Sequence, residues 1–181
     1  ATLTYQGNAD FNGPDTLTVL STDGAALSDT DNLAITVNPV NDAPLGVPTI
    51  TGTATEDQVL TADTSAISDA DGLGALSYQW LRDGVGIAGA TSSTYTLGDA
   101  DVGTQISVQV SYTDAQGTAE SLTSAQTAAV ANVNDAPAGV PTISGTATED
   151  QVLTADVSSI SDADGLGALS SVSYTHLRAH E

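Results

Sequence analysis

The chain has 181 residues, with 23 Asp and Glu against two basic side chains, for a formal net charge of −21. That charge repels phosphate backbones and anionic headgroups, so neither nucleic acid nor an anionic membrane surface is expected as a partner; divalent cations are favoured. Cysteine is absent, which excludes disulfide stapling, and no apolar run approaches the roughly 18 residues that direct membrane insertion needs.

Residues 1–37 read as the closing part of a β-module. Leu33, Ile35 and Val37 alternate with Asn32, Ala34 and Thr36 after an Asp23-Gly24 turn, the period-two pattern of a half-buried strand. Residues 38–44, Asn-Pro-Val-Asn-Asp-Ala-Pro, form a short linker. Proline restricts its own backbone and that of the residue before it, so the linker is expected to be extended and stiff. Residues 45–133 carry the richest alternation: Leu76, Tyr78 and Trp80 against Ser77 and Gln79, then Ile106, Val108, Val110 and Tyr112 against Ser107, Gln109 and Ser111. Asp71-Gly72, Asp83-Gly84 and Gln116-Gly117-Thr118 supply turns between them. No segment holds an apolar period of 3.6. The stretch is therefore expected to fold as one antiparallel β-sandwich, with the two alternating sets pointing inward and Trp80 in the core.

A second linker, 134–137, opens a copy of what has already passed. Asn41 through Ser77 returns without a gap as Asn134 through Ser170, an offset of 93 residues (134 − 41). Only Leu45/Ala138, Thr51/Ser144, Thr64/Val157 and Ala66/Ser159 differ. Residues 138–170 thus read as the opening part of a second copy, and so long a period marks a tandem array of whole domains rather than a small-repeat solenoid. Residues 171–181 leave the pattern: Tyr78-Gln79-Trp80-Leu81-Arg82 finds no counterpart, and 172–181 resemble the translated read-through of a sequencing-library adapter. The tail holds both histidines. It is expected to be artefactual, without a strand partner.

Tyr78-Gln79-Trp80-Leu81-Arg82-Asp83-Gly84 resembles the core-tryptophan strand of immunoglobulin-like domains, and Leu97-Gly98-Asp99-Ala100-Asp101-Val102-Gly103 resembles their turn into the penultimate strand. Asn8-Ala9-Asp10-Phe11-Asn12-Gly13-Pro14-Asp15, with Val40-Asn41-Asp42-Ala43-Pro44, is similar to the cadherin-like, VCBS-like repeats of giant bacterial surface proteins. The resemblance implies an all-β fold of tandem immunoglobulin-like and cadherin-like antiparallel β-sandwiches. It also implies an extracellular or cell-surface location on a bacterium.

By the same resemblance the linkers carry calcium. Asn41-Asp42 and Asn134-Asp135 match the Asn-Asp core of cadherin linkers. Asp69-Ala70-Asp71 and Asp162-Ala163-Asp164 match the Asp-x-Asp loop of the following domain. Glu56, like Glu149, stands where the family places its basal glutamate, and Asp114 closes a late strand at the same end as the first linker. Such clusters supply the hard oxygens that Ca2+ takes six to eight at a time. The family's first linker Asp is Pro39 or Asn132 here, and its last Asn is Ala43 or Ala136, so one or two weak ions per junction are expected. At the first junction Asn41, Asp42, Asp69, Asp71 and Asp114 should converge; at the second, Glu56 should meet Asn134, Asp135, Asp162 and Asp164. The plainer reading stays open: Asn-Asp-Ala-Pro and Asp-Ala-Asp-Gly also make metal-free turns, and Asp99-Ala100-Asp101 is read that way. Arg82 is read as a hairpin-edge residue without a special role.

Ahead of the tail there is no His, Lys or Cys to serve as base or nucleophile, and the carboxylates fall in turns and linkers, so no enzyme is expected. The leading function is a calcium-stiffened stalk or adhesive array of a large secreted or surface-anchored bacterial protein, in cell adhesion or biofilm formation. Its partners are the neighbouring modules of the same chain and, outside it, surface glycans or proteins. One alternative is a carbohydrate- or ligand-binding accessory module of a secreted enzyme, which calls for a cluster of exposed aromatics. The other is a passive spacer.

Overall fold

The computed structural model describes residues 3–172 and is all-β, its sheets antiparallel. Strands β1 (Gly13–Thr22) and β2 (Ser28–Val37) form a hairpin registered from Gly13↔Val37 to Thr22↔Ser28. Asp23 makes its turn, one carboxylate oxygen accepting from Ala25 N–H at 2.8 Å and Leu27 N–H at 3.0 Å, the local bonding that suits Asp to turns. Leu17, Val19, Ile35 and Val37 are half-buried, while Leu20 and Leu33 face solvent.

The middle of the chain is β-sandwich-like. β3 (Thr49–Thr51), β4 (Val59–Asp63), β5 (Ser77–Arg82), β6 (Val85–Gly86), β7 (Thr94–Thr96), β8 (Ile106–Thr113) and β9 (Ala119–Thr123) divide into a three-stranded sheet, β3-β4-β7, and a four-stranded sheet, β6-β5-β8-β9. The two share one core: Leu60, Ala62, Ile67 and Leu97 from one side, Trp80, Ile106, Val108, Val110 and Tyr112 from the other, with Val130 closing it. Trp80, Ile106, Val108 and Val110 are fully buried, and Leu76 and Tyr78 pack against them. This is the inward face that the alternation predicts. Trp80 also donates its indole N–H to the Ser92 carbonyl at 2.9 Å and stacks on Tyr95 with ring centroids 5.7 Å apart, so its one polar atom is satisfied inside the core.

Arg82 departs from the plain hairpin-edge reading. Its guanidinium reaches across to Asp101, 2.6 Å away and only 2% exposed, on a 3-10 turn at Asp99–Asp101. Asp101 also accepts from Tyr95 O–H at 2.9 Å and Gly98 N–H at 3.0 Å. A buried carboxylate needs such partners, and Arg82 supplies the positive one.

The second copy folds locally like the first. β10 (Thr142–Ser144) pairs with β11 (Thr154–Asp156) in the register that β3 keeps with β4. Gly46 and Gly139 both have positive φ, and a Cβ on either would run into a backbone carbonyl oxygen, of Ala66 or of Ser159. Ser171 and Val172 are in no strand; the rest of the tail expected to lack a partner, 173–181, lies outside the described residues.

Candidate metal centre

At the second junction the linker is held from both sides. Glu56, at the base of the sandwich, is 2% exposed and accepts from Val133 N–H at 3.0 Å. Ahead of it Glu56 N–H donates to the Ala131 carbonyl at 2.9 Å, so the segment leading to the linker stays on the module's base. On the far side Asp164 accepts from Asp135 N–H at 2.6 Å and from the Asn132 amide at 2.7 Å. Asp164's own N–H donates to Asp162 at 2.9 Å, and the Asn134 amide turns back to the Asp135 carbonyl at 2.8 Å.

Three carboxylates meet in this frame. Ligand oxygens of Glu56, Asp99 and Asp135 all lie within 4.8 Å of one another. The sequence points to Glu56 and Asp135 but reads Asp99 as part of a metal-free turn, and the folded chain adds it to the group. Its Asp-x-Asp spacing repeats that of Asp69-Ala70-Asp71, which is the available signal. Electrostatics follow the geometry. The Val133 N–H pulls the Glu56 carboxyl down, but the contact with Asp99, burial, and the charges of Asp99 and Asp135 together push it above its ordinary value. Burial, then the charges of Asp99, Asp164, Asp57 and Asp162, push Asp135 up as well. Asp164 goes the other way, held low by the Asp135 N–H and the Asn132 amide.

The first junction repeats the clamp. Asp71 accepts from Asp42 N–H at 2.7 Å, as Asp164 does from Asp135, and Asp71 N–H donates to Asp69 at 2.9 Å. Asp69 also accepts from the Tyr112 hydroxyl at 2.6 Å. Asp114 lies on the same loop cluster, since Ala115 N–H donates to the Asp71 carbonyl at 3.1 Å. One Asp114 oxygen takes Gln116 N–H and Thr118 N–H; the other is buried and has no partner among the described residues. Asn41 turns to Glu120 instead, at 3.0 Å. A cleft of about 250 Å3 beside Asp42 and Asp71 is lined also by Asp10 and Asn12 of the preceding segment.

The Glu56–Asp99–Asp135 donor set fits a hard cation. Ca2+ holds oxygens at 2.3–2.6 Å, so ligands of one ion stand up to about 5 Å apart, the spread of the Glu56–Asp99–Asp135 group. A divalent ion there would relieve the repulsion that raises Glu56 and Asp135. Among the described residues the first junction brings together no such group of three carboxylates; what it has is one buried Asp114 oxygen without a partner among those residues. Asp71 and Asp164, in contrast, already serve as hydrogen-bond clamps for a linker amide. Comparison with protein-family models, curated proteins and solved structures gives no match. No helix among the described residues is long and apolar enough to cross a membrane.

Proposed function

We propose that the chain acts within a calcium-stiffened stalk or adhesive array of a large secreted or surface-anchored bacterial repeat protein. One observation carries the reading. The acidic group at Glu56, Asp99 and Asp135 draws from the sandwich and from the linker, beside a linker that Asp164 of the following copy grips. A cation bound there ties successive modules together; without it three carboxylates repel across the joint. Glu56, Asp99 and Asp135 hold the ion, and Val133 N–H and the Asp164 clamp orient the linker toward it. Exported modules with such sites bind calcium at roughly 10⁻⁴–10⁻³ M, flexible at low calcium and filled in fluids rich in it. The tandem immunoglobulin-like and cadherin-like identity of the modules, the bacterial surface location and the adhesive role belong to this proposal and rest on the linker and core-strand motifs. Calorimetric titration of the 181-residue chain with CaCl2 tests it. Binding heat that Glu56→Gln with Asp99→Asn removes supports the site; equal heat in the variant, or none in either, rejects it.

A further inference from the structure

The sandwich of residues 45–133 joins the rest of the chain through its first and last segments, and those two segments touch. Ala131 N–H donates to the Ala54 carbonyl at 2.9 Å, and Glu56 N–H donates to the Ala131 carbonyl, also at 2.9 Å. These bonds make Thr55↔Ala131 a parallel bridge. Two residues further on, the Glu56 carboxylate accepts from Val133 N–H at 3.0 Å. Upstream, the same last segment is tied to β8 and the residues ahead of it. Ser124 N–H donates to Val108, Thr127 N–H to Ile106 and Val130 N–H to Thr104, each at 2.9 Å. Val130 itself is buried in the core.

Parallel pairing of the two ends decides how load is carried. Leu45 bonds Ser68, next to the Asp69–Asp71 loop of the first junction, and Glu56 meets the linker of the second, so residues 45–56 run from one junction to the other. Residues 124–133 run alongside and leave at the second junction. A pull on the two linkers therefore drags the segments in opposite directions along their own length. Ladder bonds lie across the strands, so such a pull shears them together instead of opening them one after another. Tension passes from linker to linker through Ala54, Glu56 and Ala131, while the bonds of Ser124, Thr127 and Val130 brace the loaded strand against β8.

We propose that this parallel pair is a shear clamp, a force-bearing device that keeps the module folded when tension arrives through its two linkers. The clamp deepens the stalk reading and rests on it for the direction of load alone; it needs no cation, because its bonds are made by the backbone.

The other neighbouring strands of the four-stranded sheet are arranged differently. β5 and β6 are antiparallel and joined by the Asp83-Gly84 turn, and β8 and β9 are antiparallel and joined across Gln116-Gly117. Hairpins of this kind, pulled from their open ends, give way bond by bond, but neither is loaded from its open end by the linkers. Forced unfolding follows the unfolding rate rather than the equilibrium stability. A module of ordinary thermodynamic stability is thus strong along the axis of the array and weak across it.

Cysteine is absent, so engineered thiols give unique handles on the full-length chain. Val40→Cys with Ala136→Cys places them on the two linkers and loads the clamp in shear. Val40→Cys with Gln116→Cys places both near the first junction, since Ala115 N–H donates to the Asp71 carbonyl; that pair loads the β3–β4 ladder from Leu45 onward, one bond at a time. Single-molecule force spectroscopy at one loading rate should give a severalfold higher unfolding force for the linker pair, with residues 45–133 releasing about 300 Å of extended chain. Equal forces for the two pairs, or a higher force for the second, overturn the proposal. Ala131→Pro removes the N–H given to Ala54 and should bring the force of the linker pair down toward that of the other. An unchanged force in the folded variant overturns the proposal as well, and the comparison of handles decides the matter where that variant does not fold. The comparison is made in chelator and in millimolar CaCl2. A difference between handles in chelator upholds the clamp whether or not calcium adds to it, so failure of the cation reading leaves the clamp standing. A difference confined to calcium assigns the resistance to the ion and overturns the clamp alone.

Discussion

Asp101 is nearly sealed from solvent, and Arg82 is the cation beside it. Removing one partner of a buried pair leaves a charge in a poor dielectric, at a cost of about 3–5 kcal/mol. Arg82→Met is expected toward the lower end, because Arg82 stays one-third exposed and Tyr95 and Gly98 still bond Asp101. Urea unfolding checks this, and adding Asp101→Asn should recover part of the loss. Tyr112 offers a pH test. Burial first, then its hydrogen bond to Asp69 and the surrounding carboxylates, push its phenol far above the ordinary 10.0. A raised folded value means that the stability from this group is fully present below pH 10 and is lost as pH climbs toward the folded value. In an alkaline titration followed by the ultraviolet absorbance of tyrosinate, Tyr112 should stay un-ionised until the chain unfolds. Tyr112→Phe should flatten that part of the alkaline stability curve; an unchanged curve would mean that the hydroxyl is not held as described.

At the scale of elements, β5 and β8 organise the sandwich. Trp80→Ala removes a fully buried indole and its bond to Ser92, and should cost about 3–5 kcal/mol; an unaltered melting temperature would show that the ring is not in the core. Sequence reading is strongest here, because period-two alternation at Ile106, Val108, Val110 and Tyr112 reports directly which side of a strand is dry. It is weaker for short strands. β6 and β7 are two and three residues long and carry too few positions for a period to register. Whether a face is covered is also invisible locally: Leu60 and Leu153 sit in the same words of sequence and differ in what lies above them. At the site, the linker motifs pick out Asp71, Asp164 and Glu56 as ligands; in the folded chain Asp71 and Asp164 accept from linker N–H groups, and Glu56 stands in the acidic group with Asp99 and Asp135. Asp99 escapes because a 3-10 turn and a cation ligand use the same Asp-x-Asp text, and only the folded chain brings that turn to the linker.

For the whole molecule, the proposed function requires that a divalent cation set the angle between successive modules. Ion binding to the folded state alone raises its apparent stability, by about 2.7 kcal/mol at a hundredfold over the dissociation constant. The mechanical consequence is the more specific one. On the proposed reading, a cation that neutralises Glu56, Asp99 and Asp135 would fix the 132–137 linker between the sandwich base and the Asp164 clamp. Without the cation only the hydrogen bonds would hold the joint, against the repulsion of the three carboxylates. Small-angle X-ray scattering of the 181-residue chain in millimolar CaCl2 and in chelator reads this directly, with the Glu56→Gln/Asp135→Asn variant beside it. A calcium-stiffened joint should give a longer, narrower distance distribution with calcium for the native chain and one calcium-independent profile for the variant. An unchanged maximum dimension in the native chain, calcium against chelator, would contradict it and leave the linkers as metal-free turns.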